Sequence, residues 1–377
     1  MRLDEICALN MGQSPDSSSY NYKGDGVPFF QGNADFGELH PQVRIWCNKP
    51  TKLAHEGDIL ISVRAPIGAL NIADKECCIG RGLAALTVDE EKCDKNYLWY
   101  GIASKVEELN SKGTGSTFKA ISKNVLAETE IPLPPLDQQN KIAIILGKLT
   151  ALISLRKQQL AKLNELVKAR FVELFGSLND NEKELDIVSI EELCTLIKDG
   201  THQTPTYTED KQNGFKFLSS KDVMTQKICW DDIKYIPAEL HEKLYATIQP
   251  QRNDILMSKN GVNYGVAAVN DTDEIFDIYV SLALLRPRTD MVNPVYLRCV
   301  INNPDTKRQF DSSIKGIGVP NLHLGEIKKT KVLLPPIDKQ NEFAAFVEQT
   351  DKSKLAIHQS LDKLETLKKA LMQKYFG

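Results

Sequence analysis

Leu133-Pro134-Pro135-Leu136-Asp137-Gln138-Gln139-Asn140 returns 201 positions later as Leu334-Pro335-Pro336-Ile337-Asp338-Lys339-Gln340-Asn341. The same register holds without a gap to Phe175-Gly176 and Phe376-Gly377, and 16 of its 44 paired positions are identical. Ala143/Ala344, Leu160/Leu361, Leu163/Leu364, Leu166/Leu367 and Lys168-Ala169/Lys369-Ala370 are among them. A repeat kept in one register over that length constrains the architecture more than any local propensity does.

Each copy opens on a Pro-Pro pair, which holds the preceding backbone extended. Asp137 or Asp338 follows as an N-cap, with Asn140 or Asn341 three residues on. Each copy closes on Gly176 or Gly377, with no proline between. The single Gly147 costs about 1 kcal/mol in a helix interior, too little to break a long helix. The pattern predicts helices over 136–176 and 336–377, each on the order of 60 Å at about 1.5 Å per residue. Leu146, Ile153, Leu160, Val167 and Leu174 recur in sevens, with Ile142, Leu149 and Leu163 between them. Ile357, Leu361, Leu364, Leu367 and Leu371 mark the seam of the second copy. Such heptads predict a coiled coil, most simply the two helices packed antiparallel on each other. The alternative is two unrelated amphipathic helices on separate domains.

The segments 1–135 and 177–335 resemble each other more weakly. Gly57-Asp58-Ile59-Leu60-Ile61-Ser62 parallels Asn253-Asp254-Ile255-Leu256-Met257-Ser258, and Asn96-Tyr97-Leu98 parallels Val295-Tyr296-Leu297. Each segment reads as a strand around the Asp-Ile-Leu, then a short helix over Tyr97 to Leu109 or Val295 to Phe310. The fold class is therefore α+β: two strand-rich globules (1–135 and 177–335), each followed by a long helix, with a pseudo-two-fold repeat.

Composition narrows the function classes. The 377 residues are 42% hydrophobic and 26% charged, ordinary for a multi-domain globular chain. The eight cysteines form no Cys-x-x-Cys pair, which argues against a structural zinc site. No apolar run approaches the roughly 18 residues that cross a bilayer, and the start lacks an apolar signal core, so the expectation is a cytoplasmic protein without a membrane partner. The net charge of −3 argues against nonspecific polyanion binding. It is segregated, however, as −4 over 1–135, +4 over 136–176, −4 over 177–335 and +1 over 336–377.

Taken in order, these features resemble the specificity subunits of type I restriction-modification systems. The residues that carry the resemblance are the two Leu-Pro-Pro helix starts, the run Gly57 to Gly68, and Gly115-Ser116-Thr117-Phe118-Lys119-Ala120-Ile121-Ser122. Lys198-Asp199-Gly200-Thr201-His202-Gln203-Thr204-Pro205 also looks like the start of such a recognition domain. The resemblance covers essentially the whole chain. It implies two target-recognition domains held apart by an antiparallel helix pair, each reading one half of a bipartite double-stranded DNA target. It further implies two modification subunits that methylate adenine with S-adenosylmethionine, and restriction subunits that use ATP and Mg²⁺. None of these cofactors is expected on this chain, and the sequence offers no Gly-x-x-x-x-Gly-Lys-(Ser/Thr) loop and no Asn-Pro-Pro-(Tyr/Phe) run.

The candidate DNA-binding residues lie beside the apolar strands. Arg64 precedes Ala65-Pro66-Ile67-Gly68 and suits bidentate contact with guanine; Lys259, followed by Asn260, stands at the point read as its match. Gln31 and Asn33 follow Phe29-Phe30, and Ser219 and Lys221 follow Phe217-Leu218. Asn and Gln can read adenine, while Ser serves bases or phosphates. Thr114, Ser116 and Lys119 lie in one glycine-rich run, and Lys315 and Asn321 bound another, where open backbone beside a lysine suits phosphate approach. The plain alternatives are surface charges flanking a strand for Arg64 and Lys259, ordinary turn chemistry for the runs after Phe30 and Leu218, and a mobile connector for the two glycine-rich runs. His202 has no companion at ligand spacing. Two other functions remain open on residues alone: a metal-dependent endonuclease using Asp305, Glu326 and Lys328, and a coiled-coil adaptor with no DNA role.

Overall fold

The computed structural model describes residues 1–115, 119–314 and 319–377. The chain forms two compact units, Met1–Gln159 with Ile357–Gly377 and Leu160–Ala356. Each unit therefore holds one globule and a stretch of both long helices, instead of following the four consecutive segments read from the sequence.

The long helices span Leu136–Phe175 and Ile337–Phe376. They start one residue before Asp137 and Asp338, so neither aspartate is an N-cap; each sits in the first turn. The cap is the preceding proline, because the Pro135 carbonyl accepts from the Gln138 and Gln139 amides, and Pro336 does the same for Lys339 and Gln340. Gly176 ends the first helix at φ +73°, a left-handed conformation that glycine adopts without strain, and its amide donates to the Val172 carbonyl.

In the first unit the globule is built on an antiparallel sheet in the order Cys7–Met11, Leu83–Val88, Ile59–Ser62, Leu70–Ile72. In the second unit Cys194–Asp199, Leu282–Pro287, Ile255–Ser258 and Ala267–Val269 follow the same order. The Asp-Ile-Leu runs are the third strand of each sheet, and they are apolar throughout because both faces are covered. Ile59 and Ile61 join the core shared with the helices, whereas Leu60 joins a core beneath the outer sheet. Ile255 and Met257 divide from Leu256 in the same way. The outer sheet of each globule contains one parallel pair, Val27–Phe30 with Cys77–Ile79 and Phe215–Leu218 with Phe276–Ile278.

The helix following each sheet is broken in two. Lys95–Ser104 is followed by Val106–Lys112, and Pro294–Ile301 by Pro304–Ser313, where Asn303 caps a fresh start ahead of Pro304. Tyr97 and Tyr296 are fully buried in these helices, and their hydroxyls donate to the Pro132 and Leu333 carbonyls at 2.7 and 2.8 Å. In the first unit Phe376, from the end of the second long helix, packs on Tyr97 with ring centroids 4.9 Å apart. In the second unit Phe175, from the end of the first, packs on Tyr296 at 5.0 Å. Within each unit the start of one long helix thus meets the end of the other, an antiparallel arrangement. Ile142 shares a cluster with Phe376, and Phe343 shares one with Phe171 and Phe175.

Along the second helix the seam is covered at Ile357, Leu361, Leu364, Lys368 and Leu371. Leu367, read as part of it, is exposed, because the alternating three-and-four spacing reaches Lys368 instead. Burial, and then the nearby Lys157, lower the pKa of Lys368.

A buried glutamine fastens each long helix to its own globule. Gln139 accepts from the Asp94 amide at 2.9 Å and donates to the Lys92 and Pro134 carbonyls. Gln340 accepts from the Asn293 amide at 2.9 Å and donates to the Met291 and Pro335 carbonyls. Asp94 and Asn293 are the N-caps of the helices bearing Tyr97 and Tyr296.

Candidate nucleic-acid interface

Ser62 and Ser258 end the matched strands and close matched loops. Ser62 donates to the Pro66 carbonyl at 2.7 Å and accepts from the Ala69 amide; Ser258 donates to the Asn263 carbonyl at 2.8 Å and accepts from the Val266 amide. The first loop turns at Gly68 (φ +92°), where a Cβ would come within 2.9 Å of Val106.

A second segment lies against each loop. In the first globule the Ile121 amide donates to the Val63 carbonyl, Ala65 donates to Lys119, and Arg64 faces Ala120 in an antiparallel bridge. Thr114 and Ala120 exchange two backbone hydrogen bonds at 2.9 Å, so Arg64, Thr114 and Lys119 are brought together, all exposed. Among the described residues the Arg64 guanidinium has no carboxylate partner. In the second globule the Leu322 amide donates to the Lys259 carbonyl, Gly261 donates to Pro320, and Asn260 faces Asn321 in the same kind of bridge.

This register corrects the sequence reading: Asn260, and not Lys259, is the counterpart of Arg64. Lys259 matches Val63, and a one-residue slip turns a side chain to the opposite face. Lys259 is accordingly buried, with its Nζ 2.7 Å from Asp199 Oδ2. Ser116 and Lys315 lie outside the described residues.

The other polar runs also occupy matched places. The Gln31 carbonyl accepts from Gly82, whose own carbonyl accepts from Val63, so Gln31 is linked through one residue to the Arg64 loop. The Ser220 amide donates to Ser281 Oγ, and the Ser281 carbonyl accepts from Lys259. Gln31 is exposed and Asn33 partly so, on a turn organised by Asp35, which accepts from the Gln31 amide at 2.7 Å and pairs with Arg44 at 2.5 Å. Ser219 is held by Asp222, to which its amide and hydroxyl both donate, while Lys221 donates to the Asp232 carbonyl. Ser219 and Lys221 are therefore engaged locally in this structure.

Two residues of the nuclease alternative, Asp305 and Lys328, have separate partners. Asp305 accepts from the Leu178 amide at 2.9 Å and pairs with Arg308, while Lys328 pairs with Glu191 at 3.0 Å. Among the described residues no group of three or more His, Cys, Asp and Glu is placed to hold a metal. Among the described residues no helix is long and apolar enough to cross a membrane.

The family model described as the type I restriction modification DNA specificity domain matches residues 1–165 and 182–369. The chain belongs to that family. The chain is similar to a Methanocaldococcus jannaschii protein described as the MjaX type I restriction enzyme specificity subunit, 44% identical over 158 residues, which are 42% of this chain and 37% of that one. The EcoBI type I restriction enzyme specificity subunit of Escherichia coli is 21% identical over 410 aligned positions, covering 99% of this chain and 84% of that protein. The crystal structure of the S subunit of a type I restriction-modification system from M. genitalium covers 100% of this chain and 95% of its own, with a TM-score of 0.65 at 16% identity, a likeness of fold.

Proposed function

We propose that this chain is the DNA-sequence-recognition and scaffold subunit of a type I restriction-modification complex and is itself non-catalytic. Each globule reads one half of a bipartite double-stranded DNA target, and the long helices set the unread spacer and dock two modification subunits. S-adenosylmethionine belongs to those subunits, and ATP and Mg²⁺ to the restriction subunits that join them in the cytoplasm. The observation that carries this reading is the duplication at the loops: Arg64 opposite Ala120 and Asn260 opposite Asn321 occupy one register on two copies of one sheet. A two-part target needs two equivalent reading heads. The acidic globules leave phosphate neutralisation largely to the modification subunits, so the chain alone should bind DNA weakly. Mapping methylated adenines in the host genome with and without this chain tests the proposal. A two-part motif that vanishes with the chain is the expected result, and methylation that persists unchanged would refute it.

A further inference from the structure

Asp199 and Lys259 stand where the first globule has Met11 and Val63. Met11 pairs with Ala84 as Asp199 pairs with Ala283, and the Val63 amide donates to Gly82 as the Lys259 amide donates to Ser281. Val63 is core, with Met11 packed against the same cluster. In the second globule the site holds an ion pair whose side chains are 5% and 17% exposed for Lys259 and Asp199. Taking two charges out of water is a net cost that an apolar pair avoids. The first globule shows that this position in the fold accepts the apolar pair, so packing does not require the charges.

Two further atoms point the same way. Asp199 Oδ1 and Asn260 Oδ1 are buried and have no hydrogen-bond partner among the described residues. Buried acceptors are normally satisfied, and leaving them unmade is unfavourable. What both oxygens lack is an N–H donor. A DNA phosphate carries none and would be repelled by Asp199. The exocyclic amines of cytosine and adenine are such donors on the major-groove edge. The exposed His202, 3.4 Å from Asp199 Oδ2, marks where the cluster meets solvent.

We propose that Asp199, held by Lys259, is a specificity-determining residue of the second globule that takes the exocyclic amino group of a cytosine or an adenine. This rests on the DNA-recognition reading above. Lys259 fixes one carboxylate oxygen, leaving the other to accept from the base. The two globules then select opposite chemistry, since Arg64 suits the acceptor edge of guanine.

The test replaces the chain in its host by Asp199→Met/Lys259→Val, which copies the first globule's pair, or by Asp199→Asn, and reads methylated motifs beside the thermal midpoint of each purified chain. The double variant should fold with an undiminished midpoint and leave the first half-site intact. At one position of the second half-site, preference for a single amine-bearing base should relax on the order of tenfold, and the base lost identifies cytosine or adenine. An unchanged motif from a folded double variant overturns the proposal, as does a uniform fall in methylation at all sites. Failure of both variants to fold would assign the pair to stability and also overturn it. If the unaltered chain supports no two-part motif, the DNA-recognition reading itself falls.

Discussion

The two globules agree strand for strand in the sheet that faces the long helices and diverge in the sheet beyond it. The first globule's outer sheet has five strands, with Cys77–Ile79 bordered by Leu53–Ala54. The second has three, and Phe276–Ile278 is met by the helix Ala238–Tyr245, whose His241 lies 2.7 Å from Asp277 and stacks on Phe215 with ring centroids 3.6 Å apart. Either device protects a strand edge that would otherwise present unpaired backbone. The inner sheet is constrained on both faces, by helices and by the outer layer. The outer layer packs on the inner sheet through one face and, in the first globule, carries only the small cluster of Phe29, Cys47 and Cys78 on the other, and Gln31 and Ser219 follow its strands.

The largest test of this comparison is aimed at the inner layer. Phe376→Ala should cost about 3–5 kcal/mol and loosen the first unit, raising hydrogen exchange in Ile59–Ser62 and Leu83–Val88. Phe175→Ala should do the same to Ile255–Ser258 and Leu282–Pro287. Equal loosening of both units by either variant would break the pairing of each unit with the end of the opposite helix.

Gln139→Leu and Gln340→Leu should each cost roughly 1–3 kcal/mol in chemical denaturation, since each strands a buried amide and two carbonyls. A large loss from one and none from the other would show that the two fasteners are unequal despite their matched bonds.

At the loops, Arg64→Ala and Asn260→Ala should each relax one half-site, at about 1–3 kcal/mol of discrimination. Lys119→Ala should instead weaken all sequences alike and reduce the salt slope by about one unit. Methylation-motif profiling separates the outcomes, and an intact motif with Arg64→Ala would remove that loop from the reading surface.

The smallest effect concerns the seam, where Lys368 occupies the position held by Val167 in the first copy. Burial disfavours its charged form in the folded chain, so near neutral pH Lys368→Leu should raise the thermal midpoint, the stability gain being about 1 kcal/mol or less for a partly exposed group. The gain should fade at strongly alkaline pH, because the folded state sheds this proton before the unfolded one. A lowered midpoint would mean that contacts of the lysine stem outweigh its desolvation.

The repeat was legible because two copies of one helix report each other's register, and Leu133-Pro134-Pro135 fixes their start. The Asp-Ile-Leu strands were legible because a strand covered on both faces must be apolar throughout. What failed was single-residue phase. Beyond Ser62 and Ser258 the loops differ in length and carry no periodicity, so Lys259 was set against Arg64 when backbone pairing aligns it with Val63. Leu367 was misplaced because leucine alone does not mark a seam when a lysine stem can cover it. Gln139 and Gln340 lie in that motif with nothing in the sequence to show their task. Their work is done against backbone groups of Lys92, Asp94, Met291 and Asn293, which any sequence could supply.

Phe376 in the core of the first unit also sets an order of events during synthesis. The first globule, ending at residue 135, leaves the ribosome about 240 residues before the side chain that fills its interior beside Tyr97. At about 5–20 residues per second that is a wait of roughly 12–50 s. The later-made globule already has Phe175, so on the nascent chain the second half can settle first, and the core of the first is completed only when the end of the second long helix emerges.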